Sequence, residues 1–144
     1  MPPSPSQLAA LRALLDRLIP ADDFPGALAA GTDGYVLHQL AGDCAAEAPP
    51  LWIGLTQLDL EAAARHGATF RELEPAKQDA ILREIETGRV ATAWPREVSA
   101  AAFFARMVGL AHEGFYADPA NGGNRDAVSW RMLGYDPRTG RSLP

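Results

Sequence analysis

The chain has 144 residues, 47% of them hydrophobic and 22% charged; that suits one globular domain and excludes extensive disorder. Its net charge is −5, with Lys77 the single lysine among thirteen cations, so it lacks the basic footprint a nucleic-acid partner requires. One cysteine, Cys44, excludes an intrachain disulfide, and His38, His66 and His112 show no spacing suited to a zinc site.

No run of about 18 apolar residues exists, so direct membrane insertion is not expected. The start, Met1-Pro2-Pro3-Ser4-Pro5-Ser6, has neither the charged and apolar regions of a signal peptide nor a twin arginine. The expected location is cytoplasmic, or periplasmic if a twin-arginine signal has been removed.

Residues 1–5 read as a frayed, proline-rich lead-in. Ser6 then offers a hydroxyl to cap a first helix over about 7–19. Leu8, Leu11, Leu15, Leu18 and Ile19 recur on one face of it, and Pro20 stops it. Residues 20–26 form a turn in which Asp23 can cap and Pro25 sits at a first-turn position. A second helix follows over 27–40, weakened by Gly31 and Gly34, each costing about 1 kcal/mol relative to alanine.

After a loop at 41–49, a third helix runs from Pro50 to about Arg65, with Trp52, Leu55, Leu58 and Ala62 facing inward, Ile53 and Leu60 beside them, and Gly67 as its stop. Phe70 and Leu73 should pin the next connector. Pro75 opens a fourth helix to about Thr87, with Ile81, Leu82 and Ile85 inside and Asp79 and Arg83 spaced for an i,i+4 pair. The fifth helix, about 96–113, carries Ala100, Phe103, Phe104, Met107, Val108 and Ala111 as a continuous apolar stripe and should be central to the core. The fold class is therefore mainly α: a single compact domain of about five helices, with an irregular glycine- and aromatic-rich C-terminal tail packed on it.

That tail, residues 114–137, is the segment with motif character. Asp118-Pro119 reads as a turn start, because an aspartate can accept nearby amides. Gly122 and Gly123 permit positive φ or close backbone approach, and Asn124 tolerates the left-handed region while offering a donor and an acceptor. Phe115, Tyr116, Trp130 and Tyr135 bring large apolar area; Trp130 and Tyr135 add the polar tips typical of interface anchors. The tail could close over the core, present a docking surface, or form a pocket in which Asp118, Asn124 and His112 are the polar groups. No acid or base oriented by a second group is visible, as catalysis would require. Elsewhere, His112 reads as a hydrogen-bonded core histidine, His38 and His66 as solvated helix-end residues, and Cys44 as a thiol with no cation beside it.

The order of motifs resembles the gluconate 2-dehydrogenase subunit 3 family, the small subunits of bacterial FAD-dependent dehydrogenases of sugars and sugar acids. The resemblance is carried by Leu18-Ile19-Pro20-Ala21-Asp22-Asp23-Phe24-Pro25-Gly26-Ala27, by Gly54-Leu55-Thr56-Gln57-Leu58-Asp59 and by Gly67-Ala68-Thr69-Phe70-Arg71-Glu72-Leu73. Most specific is Glu113-Gly114-Phe115-Tyr116-Ala117-Asp118-Pro119, followed by Gly122-Gly123-Asn124, Trp130 and Leu133-Gly134-Tyr135. It covers about residues 8–137. It implies one domain over 1–144 and a large FAD-binding partner of the glucose–methanol–choline oxidoreductase type, joined in some complexes by a cytochrome subunit. It also implies no catalytic residue, cofactor or metal in this chain. The small subunit would bind and stabilise or mature that flavoprotein. A transient chaperone, or a small enzyme with a pocket at the tail, are the alternatives. The twin-arginine segment of exported members has no counterpart here.

Overall fold

The computed structural model describes residues 1–142. Six α-helices dominate it: α1 (Pro5–Leu18), α2 (Thr32–Ala41), α3 (Ala48–His66), α4 (Pro75–Glu86), α5 (Ala100–Tyr116) and the short α6 (Val128–Leu133). Short 3-10 turns lie at Ala45–Glu47, Phe70–Glu72, Pro119–Asn121 and Arg125–Ala127. The strands β1 (Tyr135–Asp136) and β2 (Arg141–Ser142) pair antiparallel, with Tyr135 opposite Ser142. Among the described residues no helix is long and apolar enough to cross a membrane.

α1 begins inside the segment expected to fray. Ser4, not Ser6, is its cap: Ser4 Oγ accepts from the Gln7 amide while Gln7 Oε1 accepts from the Ser4 amide, two unpaired donors satisfied reciprocally. The lead-in is tied down further where the Trp52 indole donates to the Met1 carbonyl at 3.0 Å. The 20–26 turn closes through Ala27 N–H to Ile19 O at 2.9 Å. A Cβ on Gly26 would lie 2.6 Å from both Ile19 O and Ala21 N, so that turn accepts only glycine there. Asp22, rather than Asp23, supplies the side-chain acceptor, receiving the Phe24 amide.

The expected second helix is shortened to α2. Gly31 takes φ +73°, which a right-handed helix cannot continue through, so 27–31 is a turn and α2 starts at Thr32. α5 likewise starts and ends later than expected, over Ala100–Tyr116 rather than 96–113. Val98 N–H turns back to Pro95 O, Ser99 caps, and the helix runs past Gly114 to Tyr116. Gly114 does not end α5, because it is where α5 lies against α2: an added Cβ would sit 2.8 Å from the Tyr35 ring.

The core is made by Leu11, Leu14 and Leu15 of α1, Leu55 and Leu58 of α3, Ile81 and Ile85 of α4, and Phe103, Met107 and Leu110 of α5, all buried. Burying each contributes about 1.5–3 kcal/mol. Phe104 and Val108, expected in the same stripe, are only half-buried. α5 crosses α3 at Gly54, where a Cβ would fall 2.2 Å from the Phe103 ring; the missing side chain lets the two helices approach. Phe70 is fully buried; its amide donates to Asp59 and its carbonyl accepts from Gln78. The expected Asp79–Arg83 pair gives way to a bidentate bond with Arg17 of α1, at 2.8 and 3.0 Å. That bond fixes α4 to α1.

Candidate functional site

The tail leaves α5 and folds back on it through one asparagine. Asn124 is buried, with φ +45°. Its Nδ2 donates to Ala117 O at 2.8 Å, and its Oδ1 accepts from both the amide and the hydroxyl of buried Ser129, at 2.9 and 2.7 Å. One side chain thus ties the exit of α5 to the start of α6. Beside it, Gly123 leaves no room for a Cβ, which would meet Gly114 O at 2.2 Å. Gly122 has φ +94°. Asp118 caps the turn at Pro119 by accepting the Ala120 amide, and the Arg125 amide donates to Ala30 O, joining the tail to the turn before α2.

Asp126 and Ala127 also take positive φ, +58° and +54°. Left-handed backbone costs a non-glycine residue about 1–2 kcal/mol. The bonds made by Asn124 on either side hold this run in place, so the tail has one defined shape.

The expected site residues divide by location. Phe115, Gly123 and Asn124 are interior, and they build the tail. Pro119, Trp130 and Tyr135 are half-buried, while Tyr116, Asp118 and Gly122 are exposed. The Trp130 indole donates to Tyr116 O at 3.1 Å, and its ring meets Tyr135 edge-on at 5.3 Å between centroids. Leu133 projects from α6 at 55% exposure, and Tyr116 is 42% exposed. Tyr116, Trp130, Leu133 and Tyr135 thus give the end of α5, α6 and β1 an aromatic and aliphatic surface. His112, expected in the core, is exposed on α5 with its ring 6.2 Å from that of Tyr116; it lies one turn before Tyr116, on the solvent side of the helix.

Two clusters lie outside the tail. Glu61 of α3 is fully buried, and its carboxylate accepts from the Ala91 and Thr92 amides, the Thr92 hydroxyl, the Trp94 indole and Arg65. Burial opposes its ionisation, but these donors outweigh burial and hold its pKa down to about 2. The sequence signal was present: Glu61 sits between Leu58 and Ala62 on the inward face of α3, where a lone carboxylate must find donors. The second cluster is Arg106, which bonds Glu47 and Glu113 and lowers the Glu47 pKa through that hydrogen bond. Its Nη2 lies 3.9 Å from Cys44 Sγ, so the thiol expected to lack a cation has one from a distant helix.

An apolar groove of about 890 Å³ runs between the starts of α1 and α3 and the end of α2, lined by Leu8, Leu37, Leu40 and Trp52 among others; none of its lining residues belongs to the tail. Among the described residues, no three His, Cys, Asp or Glu side chains converge as metal ligands would.

The sequence profile of the family described as gluconate 2-dehydrogenase subunit 3 matches residues 5–137, nearly the whole chain and all of the tail. No curated protein and no solved structure matches the chain.

Proposed function

The chain belongs to the gluconate 2-dehydrogenase subunit 3 family, and on that premise we propose that it is a non-catalytic small subunit. Its partner in this reading is a large FAD-dependent sugar dehydrogenase or oxidase of the glucose–methanol–choline type, which it binds and stabilises or matures. The observation that carries the reading is the family match across 5–137, which takes in the tail whole.

The tail geometry supports the docking role. Its backbone is fixed from within by Asn124, Gly123 and Asp118, while Tyr116 and Leu133 face outward. A rigid surface with large apolar side chains forms a complex without the entropy loss of ordering a loop. The flavin and the oxidation chemistry belong to the partner in this assignment, and a cytochrome subunit is a further candidate member of the complex.

Co-expression with a flavoprotein encoded beside it tests the proposal. The expected product is a co-eluting, flavin-loaded, sugar-oxidising complex, with the large subunit flavin-poor or insoluble when made alone. A large subunit that is fully active alone and never co-elutes rules the assignment out.

A further inference from the structure

Among the described residues no element covers one face of α3, which α1 touches only at its edge, where Gln7 Nε2 donates to Thr56 Oγ1. Pro49, Ile53, Thr56, Leu60, Ala63 and Gly67 are all exposed, at successive spacings of four and three residues. That alternation is the heptad spacing, which keeps side chains in one seam along a helix. Ile53 is 40% exposed and Leu60 48%. Apart from His66 at the last turn, no exposed residue of α3 is ionisable. Other outer faces differ: α4 shows Lys77, Arg83 and Glu86, and α1 shows Arg12 and Asp16. A solvated helix ordinarily carries charge on its outer side, and α3 does not.

The loop beside this face is held in place, and past the exposed Arg89 it is apolar. Gln57, on its flank, donates to Ala93 O at 2.8 Å, and Glu61 grips Ala91, Thr92 and Trp94. These bonds hold the α4–α5 loop against α3. Val90 is 39% exposed, and Ala91 and Ala93 are exposed beside it.

We infer that this face is a homodimer seam, in which α3 of one copy packs antiparallel on α3 of a second about a two-fold axis at the level of Leu58. The spacing is its own reverse about that level. It sets Ile53 of one copy opposite Ala63 of the other, Leu60 opposite Thr56, and Pro49 opposite Gly67. Each larger side chain meets a smaller one, as an isologous contact requires. Antiparallel helix dipoles add a favourable term.

The area fits such a pair. Nineteen helical residues span about 28 Å. Taken with the adjoining loop as two helix diameters of about 10 Å each, the strip is on the order of 550 Å² per copy. A two-fold pair then buries about 1,100 Å² in total, at the lower end for a specific interface. Self-association should accordingly be weak, with Kd in the range of about 1–100 µM. The tail packs on α5 and the turn before α2, so both surfaces can be occupied together.

Sedimentation of the full chain between about 1 and 300 µM provides the test. The expected result is a reversible monomer–dimer equilibrium, abolished by Leu60→Asp with unchanged helix content. Tyr116→Ala should leave it intact. The double variant Ile53→Cys, Ala63→Cys should oxidise to a covalent dimer, because the proposed register juxtaposes those positions. A monomer throughout the range overturns the inference, as does a dimer that Leu60→Asp leaves intact. Loss of flavoprotein capture in Leu60→Asp, from a chain monomeric by itself, would overturn it too, giving the seam to a helix of the larger subunit while sparing the accessory role.

Discussion

Glu61 carries a large electrostatic stake for a single residue. Its carboxylate is the common acceptor for the α4–α5 loop, so removing its charge leaves buried donors without partners. Glu61→Gln keeps the shape but turns an acceptor into an NH2 group facing other donors. The expected cost is about 2–4 kcal/mol in chemical denaturation, with faster hydrogen exchange at Ala91 and Thr92 than in the rest of the loop. The pH dependence has the corresponding sign. The folded pKa, about 2, is depressed from 4.5, so the stabilisation is fully present above 4.5 and is lost as pH falls from there through about 2. The difference is worth about 3 kcal/mol. Glu47 and Asp79 are also lowered, chiefly by hydrogen bonds from Arg106 and Arg17, and act in the same direction. Glu61→Gln should flatten the acid limb of the stability curve; an unchanged acid limb would show that the loop is held by other contacts.

Between elements, glycines set the helix crossings, and they separate what the sequence reveals from what it conceals. Gly54→Ala places a methyl into the Phe103 ring, and neither α3 nor α5 can yield without disturbing the buried residues around them. The expected loss is about 3 kcal/mol. Gly109→Ala on α5 meets nothing closer than the Arg106 guanidinium at 3.6 Å; it should stabilise by about 0.5–1 kcal/mol, because alanine loses less backbone entropy in a helix. Thermal melts of the two variants should therefore move in opposite directions. Apolar periodicity was sufficient to find Leu55, Leu58, Ile81, Ile85, Phe103 and Met107 as core, since each lies at helical spacing from the next buried residue. It could not say what a glycine does: Gly31 ends a turn, while Gly54 and Gly114 seat helices. Nor could local spacing foresee that Asp79 would bond Arg17, or that Arg106 would reach Cys44, because those neighbours are created only by tertiary packing. In the tail, turn chemistry located Asp118, Gly122 and Asn124, but which aromatics face outward depended on the turn into α6.

At the scale of the whole molecule, the proposed docking role makes a thermodynamic demand that can be separated from folding. Trp130→Ala would remove the indole that holds Tyr116 O and the ring packed on Tyr135, so it disturbs the tail as well as the surface. Tyr116→Ala with Leu133→Asp removes the two most exposed large side chains of the tail and touches none of the Asn124 bonds. Its helix content and melting temperature should match the parent chain, while its affinity for the flavoprotein falls at least about tenfold, the equivalent of about 1.4 kcal/mol. Binding to the native flavoprotein alone shifts its unfolding equilibrium by mass action, by about 2.7 kcal/mol when the small subunit is at about 100 times its Kd. The melting temperature of the large subunit should then rise with added parent chain, and rise less with the variant at equal concentration. In the proposed role its kcat with bound flavin should stay the same in both mixtures, because a small subunit of that kind acts on the population of folded enzyme and not on the reacting atoms. A changed kcat at saturating flavin would place this chain within reach of the chemistry and refute the accessory role; equal protection by variant and parent would move the contact away from Tyr116 and Leu133.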